Sequence, residues 1–259
     1  MSKPLIGILS HSHNGNQPGI GCNAAYVNYF RQKGNVILID PINEEPLDVD
    51  LLVLPGGRDV NPVRYGEAPH INTQNPDVYY EWFYTQIFPK YVEKAKNYEL
   101  AIFGICAGFQ NINVHFGGKL NQDIRQEYSG QIRGKLVDKL KFIPKNQFFD
   151  IPEKWITGKK SSVFSKEKEI KDLWYQVNSI HHQGVYDENI SNYYPHTLSP
   201  ELIPLAYNKI FGNIEIVAHK SMPIMAVQYH PEELANPKFT NLAINYLLQT
   251  VNEKVYTAN

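Results

Sequence analysis

Short apolar runs alternate with amphipathic stretches along the first half of the chain. "LIGILS" (5–10) is an apolar run of the length of a buried strand. "CNAAYVNYFRQKG" (22–34) then places Ala25, Val27, Tyr29 and Phe30 in a helical pattern, with Gly34 as its stop. "NVILID" (35–40) and "DLLVLPGG" (50–57) predict a second and a third strand, the latter closed by Pro-Gly-Gly. "DVYYEWFYTQIFPKYVEKAK" (77–96) predicts a long amphipathic helix that Pro89 bends or splits. "LAIFGI" (100–105) predicts a fourth strand, and a helix follows Cys106.

The pattern changes in the second half. The stretch from about 125 to 172 is rich in lysine and carries several aromatics. Basic residues interleaved with stacking platforms suit a nucleic-acid face, but charge runs are usually solvated faces, and a surface excursion with short strands is the reading preferred here. "IEIVAHK" (214–220) and "IMAVQYH" (224–230) predict paired strands around a Met222-Pro223 turn, and "PKFTNLAINYLLQTVNEK" (237–254) a closing helix. The alternation predicts an α/β fold: a mainly parallel, doubly wound sheet with helices on both faces and a small accessory β region. We expect one domain over 1–259. Ligands in such folds bind beyond the carboxyl ends of the strands, and Pro-Gly-Gly and Gly-Ile-Cys occupy two of those ends.

Composition narrows the function classes. With 42% hydrophobic and 20% charged residues over 259 positions, the balance is that of a globular protein with a substantial core. A formal net charge of -1 supplies no bulk field for nucleic acid or an anionic membrane, so neither is expected as a partner. Two cysteines make no disulfide framework, which favours a reducing, cytoplasmic setting. The apolar run near the N-terminus is too short for a signal-peptide core, and no stretch approaches the length of a membrane span.

One of the two cysteines stands where chemistry is possible. In "GICAG" (104–108), glycines flank Cys106 two residues away on either side, the spacing of a nucleophile elbow. Small neighbours let strand and helix approach closely, and a thiol at a helix N-terminus faces the positive end of the dipole. Gln110 lies one turn on, on the same face. A small buried core residue is the competing reading of Cys106. In "QYHPEE" (228–233), Pro231 biases His230 toward an extended conformation, which puts Glu232 on the same face to orient the ring while the other nitrogen meets the thiol. A surface histidine before an acidic helix cap is the alternative. In "LPGGRDVNP" (54–62), glycines after a strand can expose backbone N–H groups. We assign the Gly57 and Ala107 amides to an oxyanion hole, an ordinary tight turn being the alternative. Gly56 and Arg58 are candidate substrate contacts. Arg58 could equally pair with Asp59 or Glu67.

Taken together and in order, "LPGGRDVNPVRYGE", "GICAGFQNINVHFGG", "VNSIHHQGV" and "VQYHPE" resemble the class I glutamine amidotransferase superfamily, and within it the gamma-glutamyl hydrolases, including those acting on gamma-glutamyl-gamma-aminobutyrate. The likeness runs from "LIGILS" to "AVQYHPEE". It implies a Cys106–His230–Glu232 triad, a thioester to the gamma-carbonyl of a glutamyl group, and no metal or organic cofactor. It also implies that Gln110 and the 178–183 segment, with Asn178, Ser179 and His181 in the pocket wall, hold the glutamyl portion of the substrate. Ala107 departs from the hydrolase pattern, which carries arginine there, and is compatible with the glutaminases. The segment "HSHNGNQPGIGCN" is also unlike the usual substrate loop of the hydrolases.

The expected function is cysteine-dependent hydrolysis of a gamma-glutamyl amide, with a small gamma-glutamyl compound or glutamine as substrate. The alternative is a glutaminase that supplies ammonia to a partner synthetase. A non-catalytic binding member of the fold is the third reading. A metal site built from His181 and His182 with His11 and His13 is disfavoured, because adjacent strand residues point to opposite faces. Cys22 is read as a packing residue within the first helix. Tyr79, Tyr80, Trp82, Phe83 and Tyr84 are too many for one buried face, so core plus a partly exposed helix is expected.

Overall fold

A computed structural model describes residues 3–13, 19–124, 136–143, 174–191 and 194–257. The first half alternates as its pattern predicts. Strand β1 (Leu5–Leu9) is followed by a two-stranded antiparallel ribbon, β2 (His11–His13) and β3 (Gly19–Gly21), and then by helix α1 (Ala24–Arg31). Asn23 caps α1 by accepting the Ala25 N–H at 2.9 Å, so Cys22 precedes the helix instead of lying within it. Strands β4 (Asn35–Ile39) and β5 (Leu51–Leu54) lead to α2 (Val78–Trp82), a π-helical turn (Phe83–Ile87) and α3 (Phe88–Lys96). The interruption expected at Pro89 is this π turn. Proline at the start of α3 has no N–H and clashes with the carbonyl four residues back, that of Thr85, and a wider turn there relieves both problems. Strand β6 (Ala101–Ile105) runs directly into α4 (Ala107–His115).

The remaining strands are β7 (Leu136–Phe142), β8 (Trp174–Asn178), β9 (Leu202–Asn208), β10 (Ile214–His219) and β11 (Ile224–Val227), before the closing helix α5 (Lys238–Thr257). Nine strands form one sheet in the order β4-β1-β5-β6-β11-β10-β9-β7-β8. The first five in that order pair in parallel. The others pair antiparallel, so the expected parallel sheet is the half of a mixed one that binds the motifs. Connections explain the difference. The β10–β11 link is the short Met222-Pro223 turn, which can join only antiparallel neighbours. Of the lysine-rich stretch, β7 is a paired strand of the main sheet; residues 125–135 and 144–172 lie outside the described ones. The accessory β region is the β2–β3 ribbon.

Both faces of the parallel half are buried, as its continuous apolar runs require. Leu51 and Val53 of β5 pack with Phe103, α1 and α5, whereas Leu52 and Leu54 face Ile102, α3 and α4 on the other side. Among the described residues, no helix is long and apolar enough to cross a membrane.

Helix α4 sits unusually close to the sheet. A Cβ on Gly108 would lie 2.1 Å from the Leu54 carbonyl oxygen, and one on Gly104 would lie 2.9 Å from the Gly108 carbonyl carbon. Gly108→Ala is therefore expected to lower unfolding stability by about 1–3 kcal/mol, the usual cost of overpacking, read from the urea midpoint. At Gly66 nothing stands within 4 Å, so alanine there costs only the left-handed backbone at φ 76°, about 1–2 kcal/mol. A Gly108→Ala protein as stable as the wild type would contradict the close approach.

Candidate active site

Parallel strands place their carboxyl ends on one edge of a sheet. Here β5, β6 and β11 are successive neighbours, so Pro-Gly-Gly, Cys106 and His230 emerge side by side. The Cys106 N–H donates to the Val227 carbonyl at 2.9 Å, fastening the elbow to the strand that leads to the histidine.

Cys106 is buried and adopts φ 52°, ψ -106° immediately before the first residue of α4. Only Tyr98 shares a positive φ among the described non-glycine residues. Strain of this kind costs of order 1–3 kcal/mol and persists only where the surroundings enforce it. Gly104 and Gly108 do so, because any side chain on them would push strand and helix apart. The turn places Cys106 at the N-terminus of α4, directly before its first residue.

His230 has an extended backbone, with φ -101° and ψ 91°, as Pro231 requires. The residues after it fold into a 3-10 turn (Pro231–Glu233) instead of continuing as a strand. That turn brings Glu232 back under the ring: His230 Nδ1 donates to Glu232 Oε1 at 2.6 Å. Cys106 is the neighbour that raises the His230 pKa most, and with Nδ1 engaged by Glu232, Nε2 is the nitrogen left to serve a sulfur. Burial pulls the His230 pKa down, but the adjacent Cys106 and Glu232 more than offset this and push it up to about 11.

Two further residues hold this ring, and the sequence pattern did not single out the first. Tyr26, on the buried stripe of α1, accepts the Gly56 N–H at 2.9 Å and stands 3.3 Å from His230 Nδ1. Burial, then the negative charges of Glu232 and Cys106, raise its pKa well above the usual tyrosine value, so its hydroxyl keeps its proton. The second is Asn178, expected in the pocket wall. Its carboxamide grips the His230 main chain instead, with Nδ2 donating to the carbonyl at 3.1 Å and Oδ1 accepting the N–H at 2.9 Å.

The glycine loop lies across the elbow. A Cβ on Gly56 would sit 2.8 Å from His230 Cε1, 2.9 Å from the Tyr26 hydroxyl and 3.4 Å from Cys106 Cβ. Only glycine leaves the space between those three groups open. A Cβ on Gly57 would lie 3.9 Å from that of Ala107, so the two amides assigned to the hole belong to neighbouring residues. Arg58 is exposed and donates to the Asn75 carbonyl at 3.4 Å, and forms no ion pair among the described residues. The partners weighed for it are engaged elsewhere: Asp59 with His182, and Glu67 with Lys119.

Gln110 and the 178–184 segment do converge. Gln110 Nε2 donates to Gln228 Oε1 at 3.2 Å and approaches the Gln183 carbonyl at 3.4 Å. Ser179 is buried beside them in sequence. The two adjacent histidines, in the bend that follows β8, diverge. His181 Nδ1 donates to the Gln183 carbonyl at 2.8 Å with Nε2 3.7 Å from Glu215, while His182 turns to Asp59. Burial lowers the His181 pKa to about 4, the Gln183 carbonyl opposing and His230 adding to the fall, so this ring is neutral at pH 7. Among the described residues, no group of three or more His, Cys, Asp or Glu side chains is arranged to hold a metal ion. Cys22 packs against the core, and burial, followed by Glu232, pushes its thiol up to about 11.

Comparison with known proteins places this geometry. The Peptidase C26 family profile matches residues 4–232. The chain belongs to the Peptidase C26 family. The glutamine amidotransferase-like protein YvdE of Lactococcus lactis is 29% identical over 214 residues, 80% of this chain and 79% of YvdE. Protein NtpR of Enterococcus hirae is 23% identical over 88% of this chain and 91% of its own. The fold is that of PurLQS from Thermotoga maritima, with a TM-score of 0.55 at 18% identity over 95% of this chain and 99% of that one. It is also that of a glutamine amidotransferase from the same organism, with a TM-score of 0.52 at 14% identity over 98% and 92%.

For this Peptidase C26 chain, the electrostatics give a direct expectation. The His230 ring keeps its proton well above pH 8, visible as an imidazolium C2–H resonance that has not titrated. Because its folded pKa lies above the unfolded value of about 6.5, its contribution to stability is present below about that pH and is lost as pH rises toward about 11. Cys106→Ala removes the largest of the raising influences and should bring the titration down. A ring that titrates near its ordinary value in the wild-type protein would refute the coupling.

Proposed function

We propose that the protein is a cysteine hydrolase that cleaves a gamma-glutamyl amide through a glutamyl thioester, releasing glutamate and an amine. The observation that carries this reading is the chain of contacts from Cys106 through His230 to Glu232, with the cysteine at a strained elbow and the histidine poised as an imidazolium.

In this mechanism Cys106 Sγ attacks the gamma-carbonyl carbon as a thiolate. The carbonyl oxygen gains negative charge opposite the Gly57 and Ala107 amides. The tetrahedral adduct collapses, the C–N bond breaks, and His230 Nε2 gives its proton to the departing amine. The neutral ring then takes a proton from water, which attacks the thioester and expels the thiolate, so that the proton returns to His230. Glu232 fixes the tautomer through Nδ1 and stabilises the imidazolium. Gln110, Ser179 and His181 border the place where the glutamyl portion would rest, and Arg58, at the exposed lip, is available to a substrate carboxylate.

A second reading is a glutaminase serving a synthetase. YvdE carries an amidotransferase-like name, and a partly exposed apolar face of Val78, Tyr79 and Trp82 flanks the glycine loop. Ala107 fits either reading. Its small side chain leaves room beside the nucleophile for a wider leaving group than ammonia.

Cys106→Ser should reduce turnover below about a tenth of wild type, and by several orders of magnitude if the triad acts as a unit. His230→Ala should be nearly as damaging, and Glu232→Gln less so, because an amide still orients the ring but stabilises its charge poorly. An active His230→Ala protein with an unchanged pH profile would move the base elsewhere.

On substrate, the isolated chain is expected to release glutamate faster from a gamma-glutamyl amine or peptide than from L-glutamine, the difference appearing in kcat/KM. Preference for glutamine, or silence until a synthetase is added, would establish the ammonia-relay reading in its place.

A further inference from the structure

His182 is a buried titratable group that the mechanism above does not use, and its contacts lead back to the glycine loop. Its Nε2 donates to Asp59 Oδ1 at 2.9 Å, and both side chains are about nine-tenths buried, with 8% exposure each. The second carboxylate oxygen, Asp59 Oδ2, accepts the Gln74 N–H at 2.7 Å. On its far side, His182 Nδ1 stands 3.9 Å from Asp123 Oδ1, and the His182 carbonyl accepts the Ile124 N–H at 2.8 Å. His182 is thus set between two stretches of chain and joins one of them through a side-chain bond to Asp59, two residues past Gly57.

We infer that His182 and Asp59 are positioning residues that hold the Gly57 amide in register with the elbow. The loop is fastened at two points three residues apart. Gly56 is held at its N–H by the Tyr26 hydroxyl, and Asp59 is held by His182 and the Gln74 main chain. Gly57 lies between these two points, exposed, with no side chain to anchor it. Neither the Gly57 nor the Ala107 amide has an acceptor among the described residues, so besides the Tyr80 ring packed against Gly57, the ends of the loop set where the Gly57 N–H points. A hydrogen bond between buried groups is stronger than its exposed counterpart and specifies geometry more tightly. A donor that must meet a developing oxyanion within about 0.5 Å needs such support.

The same segment also reaches the other parts of the site. Asn178 clamps the His230 main chain, and the Gln183 carbonyl meets Gln110, one turn along α4 from the cysteine. The 178–183 segment therefore touches all three strand ends and fixes them relative to one another. This inference rests on the hydrolase reading for its catalytic part, while the tether itself is a structural claim.

The test compares His182→Leu, which loses the donor, with His182→Gln, whose Nε2 can still reach Asp59. Hydrogen exchange of a peptide covering 54–61 reports the loop without reference to activity. Glutamate release from a gamma-glutamyl amine reports the hole, and alkylation by iodoacetamide reports Cys106. We expect His182→Leu to speed exchange in 54–61 at least tenfold and to lower kcat about ten- to a hundredfold with KM within about threefold. Alkylation of Cys106 should be unchanged, and His182→Gln should recover most of the loss. Should His182→Leu not fold by circular dichroism, Asp59→Asn takes its place, since an amide cannot accept from both His182 and Gln74. Unchanged exchange, or unchanged kcat with faster exchange, would overturn the proposal while a hydrolytically active wild type keeps the hydrolase reading. Slower alkylation in step with kcat would also overturn it, because the effect would then lie at the thiol. A wild type inactive on every gamma-glutamyl compound would overturn the hydrolase reading and the catalytic part with it; the exchange result would still decide the tether.

Discussion

The contact between Gly108 and the Leu54 carbonyl governs everything at this edge of the sheet. A helix that begins within van der Waals reach of a neighbouring strand leaves no room for a gradual turn. The chain must leave β6 and enter α4 through one residue, and that residue takes a conformation L-amino acids avoid. The cost is met by the packing of α4 on β5, β6 and β11, where Phe109 and Ile112 are fully buried. In return, Cys106 is held at the end of β6, buried at the edge of the core, and the strain of the position follows from the closeness of the helix.

Burial then decides the charge arrangement. An imidazole so little exposed ought to be neutral, as His181 is. His230 differs because it has a sulfur on one side and a carboxylate on the other, and these favour its proton by more than desolvation opposes it. Burial decides the ionisation of His181, whereas charged neighbours override burial at His230. Tyr26 adds to this: its hydroxyl, kept protonated by burial and then by the same negative neighbours, occupies the Gly56 N–H.

What could be read in the sequence was local, and what could not was distant. The strands, the elbow spacing and the proline after His230 are each written within ten residues, and periodicity places them. The mixed character of the sheet was legible only in part, through the Met222-Pro223 turn. Tyr26 belongs to a helical stripe with Tyr29 and Phe30, which identifies it as buried, but its hydroxyl partner is 204 residues away. Asp59 and His182 are 123 residues apart. Each looked replaceable in isolation: an acid after a turn, and the second of two histidines. Asn178 was assigned by likeness to the pocket wall, whereas its two bonds to His230 could be known only from three dimensions. The Glu232 pairing was expected from an extended backbone, and a 3-10 turn delivers it by another route.

The two halves of the sheet contribute different things. The parallel half delivers the Gly57 loop, Cys106 and His230 from three neighbouring strand ends. The antiparallel half supplies what holds them: Asn178 ends β8, the 178–183 segment continues from it, and Glu215 of β10 lies against His181 and accepts the Gln228 N–H. The elbow, like the clamp on His230 and the tether of the glycine loop, depends on residues distant in the chain: the Cys106 N–H bonds the Val227 carbonyl, Asn178 reaches His230 over 52 residues, and His182 reaches Asp59 over 123. Loop-closure entropy must be met before such contacts reward it, so the geometry of this strand edge is tied to completion of the whole sheet.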